Sequence, residues 1–267
     1  MNRKLINNSR GVITINIESK SNNGIDEIKE KAEQLKNVNN ELRAFNYTIS
    51  HEIKAPVRAI DGYAKIFIED YANEVEKDGI ELIRSIRHIC GDTLLLINKL
   101  IEYIKFADME LTKEIIDLEK LIDFTFNELV VGHKDKSKIQ LKFESDLPII
   151  LGDNILMKQV ITNLISNSLK FTSTKDFALI TAGYVLNNNE NIFYIKDNGV
   201  GFDMKFSENL FGMFERMHSE SEFEGSGVGL AIVKKIIQKF GGRVWIIGEV
   251  GKGACTYFTI GEESILK

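Results

Sequence analysis

Gly225-Ser-Gly-Val-Gly-Leu-Ala-Ile-Val-Lys-Lys-Ile-Ile237 passes from alternating glycines into apolar residues at helical spacing, so it reads as a loop feeding a helix that starts near Val228. Glycine permits turns with positive φ and close approach of the main chain to a ligand, and a helix N-terminus aims free N–H groups at an anion. Alone, the pattern is equally that of a tight helix entry. Two further clusters turn it toward a phosphate-binding pocket. Asp197-Asn198-Gly199-Val200-Gly201 follows an apolar strand candidate at residues 192–195. There a carboxylate is placed to accept a hydrogen bond from an adenine amino group or, in the plainer reading, to form the turn before Asn-Gly. Upstream, Asn163, Asn167 and Lys170 stand at i, i+4 and i+7, one stripe of a helix whose apolar side is Val160, Ile161, Leu164 and Ile165. Asparagine is a costly choice for a merely solvated helix face. Its amide oxygen can share a Mg²⁺ ion with phosphate oxygens, and Lys170 can offset phosphate charge.

The surrounding sequence supplies a sheet. Residues 112–118 and 138–143 read as strands around a helix over 119–130, and residues 153–170 as another helix. Residues 177–186 and 191–196 form a hairpin pattern, and 243–248 with 254–260 a second strand pair turned at Gly251-Lys252-Gly253. The expected result is an α/β sandwich with helices over one face of a mixed sheet. Between the glycine clusters, residues 204–224 carry Phe211, Phe214 and Arg216 among polar residues, a length suited to a lid anchored by the phenylalanines.

The first half is different. Ile28, Leu35, Leu42 and Ile49 repeat every seven residues, predicting one helix over residues 26–71, on the order of 70 Å long. Ile80, Ile83, Ile86, Cys90, Leu94, Ile97, Ile101 and Ile104 predict a second, after a polar turn at 72–78. Such a hairpin buries its apolar residues against a second copy, giving a four-helix bundle by homodimerisation. The fold class is therefore α+β: a long helical hairpin followed by the sandwich. Residues 12–17 are a lone strand candidate, and residues 19–24 are expected to form a boundary loop.

Composition narrows the partners. Of 267 residues, 27% are charged, with a net charge of −5 that offers no basic footprint for nucleic acid. Cys90 and Cys255 lie far apart in apolar surroundings and read as buried thiols of a reducing compartment. No apolar run approaches the roughly 18 residues needed to span a bilayer, and residues 2–10 are too polar for a signal peptide, so a cytoplasmic location is expected.

His51 lies two residues past Ile49, about 200° around the helix, and so should face away from the apolar seam. His88, His133 and His218 have no comparable company and read as inert surface residues. His51 is followed by Glu52 and by Pro56, whose ring removes the hydrogen bond to the Glu52 carbonyl and deforms the helix beside the histidine. A neutral imidazole is a nucleophile, and an adjacent carboxylate can orient it and take its proton.

Taken in order, these stretches resemble the dimeric sensor histidine kinases of two-component signalling, from about residue 25 to the end. His51 matches the phosphoacceptor of the histidine box; Asn163, Asn167 and Lys170 match the asparagine box; Asp197, Gly199 and Gly201 match the first glycine box. Phe211 and Phe214 match the phenylalanine box, and Gly225, Gly227 and Gly229 the second glycine box. The run from Met213 through that box is similar to the phytochrome-like and PAS-linked branch.

The resemblance implies an N-terminal segment at 1–24, a possible remnant of a PAS sensor. It further implies a signalling helix with a dimerisation and phosphotransfer hairpin at 25–110, and at 111–267 an ATP-binding domain of the gyrase and heat-shock chaperone type. It implies ATP and Mg²⁺ as cofactors, with Asn163 and Asn167 on the metal, Arg216 and Leu230 joining the nucleotide contacts, and His51 and Glu52 as catalytic residues. The implied partner is the receiver domain of a separate response regulator. One departure stands out: where many relatives carry Thr or Asn four residues after the histidine, this chain has Ala55, so weak phosphatase activity is expected. Two competing readings are a non-catalytic ATP-binding scaffold and an ATP-hydrolysing machine. The latter needs a glutamate near Asn163, and the sequence offers only Gln159 and Thr162.

Overall fold

The computed structural model describes residues 17–133, 135–188, 190–215, 223, 225–261 and 264. The strand candidate at residues 12–17 falls, but for Ile17, outside the described residues. Helix α1 (Ile17–Tyr71) runs for 55 residues, so residues 19–24 are helical and not a loop. Gly24 costs only about 1 kcal/mol inside a helix, and propagation from an established helix outweighs it, whereas a proline there would not have been tolerated so cheaply. Pro56 lies within α1 as well. The chain divides into two compact units, Met1–His51 and Glu52–Lys267.

In the first unit the described structure is helix α1 alone. In the second, the remainder of α1 is followed by α2 (Lys77–Asp108). Arg87 Nε donates to Asp61 Oδ1 at 2.8 Å between these helices, and Ala64, Ile80 and Cys90 are buried. Ile53, Ile60, Tyr63, Ile66, Leu82 and Ile89 stay exposed, Tyr63 at 74%. A helix pair leaving that much apolar surface in water has a face built for something else.

Beyond α2, β1 (Glu114–Ile116) pairs antiparallel with β3 (Ile150–Gly152), a short ribbon the sequence patterning only half predicts. The main sheet has strand order β2-β4-β5-β7-β6, formed by Ile139–Phe143, Ala178–Asn187, Glu190–Asp197, Gly253–Thr259 and Val244–Glu249 respectively. Only β2 and β4 are parallel. Helices α3 (Leu118–Val130), α4 (Asn154–Phe171) and α5 (Gly229–Lys239) supply the core with the sheet. Alternation decides the faces: Phe193, Ile195 and Phe258 point inward, and Phe193 stacks on Phe258 at 5.3 Å. On the other face Tyr257 stacks on Trp245 at 5.4 Å, and the Arg243 guanidinium lies 4.4 Å from the Trp245 ring centre.

Helix α4 starts where it does because Asp153 caps it. Its Oδ1 accepts from Leu156 N at 3.0 Å and its Oδ2 from Thr112 N at 3.1 Å, tying the helix to the segment that leads into β1. The packing does not break between residues 110 and 111. Phe106 of α2 is buried in the sandwich core, with Tyr103 and Met109 against it, and Lys239 Nζ of α5 donates to the Met109 carbonyl.

Candidate nucleotide-binding site

A cleft of about 290 Å³ opens between α4, α5, the sheet and the segment linking β5 to α5. Asn163, Asn167 and Lys170 of α4 line it, as do Asp197, Gly201, Gly225, Gly227, Gly229 and Leu230, which the sequence places in separate clusters. Apolar burial sets this convergence: Val160, Ile161, Leu164 and Ile165 are sunk in the core, which leaves the polar stripe of α4 facing the cleft.

Asp197 ends β5 and is 7% exposed. Its Oδ1 accepts from Gly199 N at 2.9 Å and Ala254 N at 3.3 Å, and its Oδ2 from Ser168 Oγ at 3.3 Å. Burial raises its pKa above the ordinary carboxylate value, opposed by those three donors. Oδ2, with one protein donor, retains an acceptor position toward the cleft. Gly199 does not line the cleft; its part is that N–H and its lack of a side chain, since a Cβ there would meet the Phe171 carbonyl oxygen at 2.6 Å.

At the other end, Asn163 Nδ2 donates to the Gln159 carbonyl at 2.9 Å, which fixes the amide and leaves Oδ1 as the acceptor on the cleft side. A Cβ on Gly229 would come within 3.0 Å of that Oδ1, and one on Gly225 within 3.0 Å of Lys170 Nζ. Helix α5 begins at Gly229 after Val228, which provides no side-chain cap, so its first amides are available to an anion. Gly227 has φ +67 and lies against the backbone of Phe214, whose N–H donates to the Gly227 carbonyl at 3.1 Å.

Among the described residues no group of three or more His, Cys, Asp or Glu side chains could hold a metal. An ion such as Mg²⁺ needs no such group, since it takes one or two protein oxygens and completes its shell with phosphate and water. Asn163 and Asn167 both line the cleft and carry amide oxygens.

Phe211 and Phe214 do not line the cleft. Phe214 is 51% exposed and has φ +66, an uncommon conformation for a side-chain-bearing residue. Leu210, Phe202 and Phe223 line it instead, Phe223 edge-on to Phe171 at 5.3 Å. Arg216 falls outside the described residues, and so does the side chain of His51, whose backbone is helical within α1. Glu52 is exposed.

Ser168, Phe171, Ala254 and Thr256 also line the cleft without having been singled out in the sequence. Ser168 and Phe171 each follow a stripe residue by one position on α4, a signal that was present. Ala254 and Thr256 depend on which strand pairs with β5. Cys255 is buried and free, and burial pushes its thiol up to about 11, so it carries no thiolate chemistry at neutral pH.

Residues 152–264 match the family described as histidine kinase-, DNA gyrase B-, and HSP90-like ATPase. Cyanobacterial phytochrome B of Nostoc sp. is 31% identical over 237 residues, covering 88% of this chain and 31% of the relative. The methanogenesis regulatory histidine kinase FilI of Methanothrix harundinacea is 31% identical over 241 residues, covering 88% and 26%. The chain thus spans about a third or less of the lengths of these relatives. Among solved structures, full-length ShkA in complex with AMPPNP superposes with TM-score 0.58 at 24% identity, over 83% of this chain and 46% of that one. Acinetobacter baumannii histidine kinase AdeS gives 0.53 at 18% identity over 81% and 98%, and both share the fold. Among the described residues no helix is long and apolar enough to cross a membrane. With the cleft built from the asparagine helix and both glycine clusters, residues 152–264 belong to the histidine kinase-, DNA gyrase B-, and HSP90-like ATPase family, and the chain is similar over 88% of its length to a histidine kinase and a phytochrome.

Proposed function

We propose that the chain is an ATP-dependent protein-histidine kinase that phosphorylates its own His51 and passes the phosphoryl group to an aspartate of a separate response regulator. The observation that carries the reading is the convergence of Asn163, Asn167, Lys170, Asp197 and Gly229 on one cleft. In this reading Asp197 accepts from the adenine amino group, and the uncapped start of α5 with Lys170 holds the phosphates. Asn163 and Asn167 hold Mg²⁺, which when bound neutralises charge on the transferring phosphate. The unprotonated imidazole nitrogen of His51 attacks the γ-phosphorus, the bond to the β,γ-bridging oxygen breaks, ADP leaves, and Glu52 takes the imidazole proton.

The exposed apolar residues of α1 and α2, Tyr63 and Ile89 among them, support a homodimer through the hairpin. The functional division is a signalling and phosphotransfer segment over residues 25–110 and a catalytic segment over 111–267, with a cytoplasmic location and no nucleic-acid partner. Purified protein incubated with Mg²⁺ and γ-labelled ATP should acquire label that is lost in acid and kept in alkali. Nucleotide binding without any label would favour a non-catalytic scaffold instead.

Two results follow from particular residues. Ala55 leaves no polar group to position a water, so the protein should dephosphorylate its regulator slowly. Rapid regulator dephosphorylation abolished by Glu52→Ala would contradict this. Nucleotide affinity should also fall as pH drops below neutrality, beginning above 3.8 because burial raises Asp197 above that ordinary value and binding requires its anion. The sign differs from that of acid unfolding. With its folded pKa raised, Asp197 favours the unliganded fold more as pH falls through this window, so its affinity and stability contributions move in opposite directions. An Asp197→Asn protein should lack this component in a pH series of titrations.

A further inference from the structure

Helix α2 reaches the cleft as well. Leu95 and Lys99, one helical turn apart, line it together with Gln159 and Asn163 of α4 and Gly229 of α5. Asp197 and Ser168 mark the nucleoside end of the cleft, and from there the polar stripe of α4 runs back through Asn167 and Asn163 to Gln159. The outermost phosphate of a nucleotide laid along that stripe comes to the end where α5 starts uncapped beside Asn163, and Lys99 of α2 lines the same cleft. Lys99 Nζ pairs with Glu102 Oε2 at 2.8 Å, the two side chains being 30% and 39% exposed. An ammonium has three donors, so this pairing leaves others for a phosphate oxygen, and the four-carbon stem lets the charge follow it.

We propose that Lys99, carried by the hairpin helix α2, is a ligand for the terminal phosphate of the nucleotide, so that the hairpin distinguishes a bound triphosphate from a diphosphate. The proposal rests on the nucleotide reading of the cleft. Lys99 would then be a specificity-determining residue donated from outside the ATP-binding family's matched segment, residues 152–264. Glu102 keeps the lysine in place when the terminal phosphate is gone, and the exchange of partner from Glu102 to phosphate would mark the hairpin helix with the state of the cleft.

Calorimetric titration of the full chain with Mg²⁺ and either AMPPNP, which cannot transfer its terminal phosphate, or ADP tests this. Lys99→Ala should weaken AMPPNP binding about fivefold to tenfold, a charge-assisted hydrogen bond discounted for partial exposure, and change ADP binding less than twofold. Lys99→Arg should restore most of the loss. Equal weakening of both nucleotides, or of neither, would overturn the role of Lys99, and the unchanged ADP affinity guards against mere misfolding. Wild-type protein that binds neither nucleotide would overturn the nucleotide reading itself, an outcome plainly different from a tight binder indifferent to residue 99.

Discussion

The His51→Gln protein is expected to bind MgATP as the wild type does and to take up no acid-labile phosphate. Glutamine keeps a polar side chain of similar reach and good helix propensity, so α1 should tolerate it. Its amide nitrogen has no free lone pair, because that pair is delocalised into the carbonyl, and it cannot attack phosphorus. Removing a nucleophile outright costs at least roughly a thousandfold in rate, more than any positioning change in the cleft. The measurement is label retained on the protein band after acid and after alkali. Residual acid-labile label at wild-type level on the mutant would mean another acceptor, and His51 would lose its assignment.

Nearly as large an effect is expected from Asp197→Asn. The two side chains have the same shape, and an Asn oxygen in the place of Oδ1 preserves the contacts now made by Gly199 N at 2.9 Å and Ala254 N at 3.3 Å. The NH₂ group then stands where Oδ2 stood, so a donor faces the donor of the adenine amino group. Losing a hydrogen bond to a charged acceptor and burying two opposed donors should reduce ATP affinity on the order of a hundredfold, with the fold intact. Titration against ATP and ITP separates this from general damage. ITP has a carbonyl in place of the amino group, so the mutant should lose much less toward ITP, and equal loss toward both would argue against adenine at Asp197. Mixing the two mutants adds a further reading: label appearing on the Asp197→Asn chain in the presence of His51→Gln would require transfer across a dimer.

The chemistry-bearing elements were legible because each has its own periodicity. Asn163, Asn167 and Lys170 on one stripe opposite Val160 and Leu164 fix both the helix and the face it turns to the cleft. Glycines at 225, 227 and 229 running into Ile232, Val233 and Ile236 fix the start of α5 within a residue. The ribbon strand Ile150–Gly152 was not legible, since three residues carry no alternation and Pro148 obscures its start. Ala254 and Thr256 were missed because strand pairing is a long-range choice: that β7 and not β6 lies beside β5 is decided by packing of Phe258 on Phe193. Lys99 was invisible for a similar reason. Helical spacing separates the inside of α2 from its outside, but does not say that part of the outside borders the cleft between α4 and α5. Residues 19–24 misled in the opposite direction, because weak helix formers at the mouth of a long helix are carried along by it.

Phe106 has a practical consequence for anyone dividing this protein. A gene fragment cut at residue 111, the boundary a motif map recommends, would discard a phenylalanine that is 7% exposed, along with Tyr103 and Met109 beside it and the carbonyl that receives Lys239. What remained would carry an open hole lined by core side chains, a standing invitation to self-association during expression. The recombinant catalytic piece should therefore begin more than three helical turns earlier, upstream of Lys99.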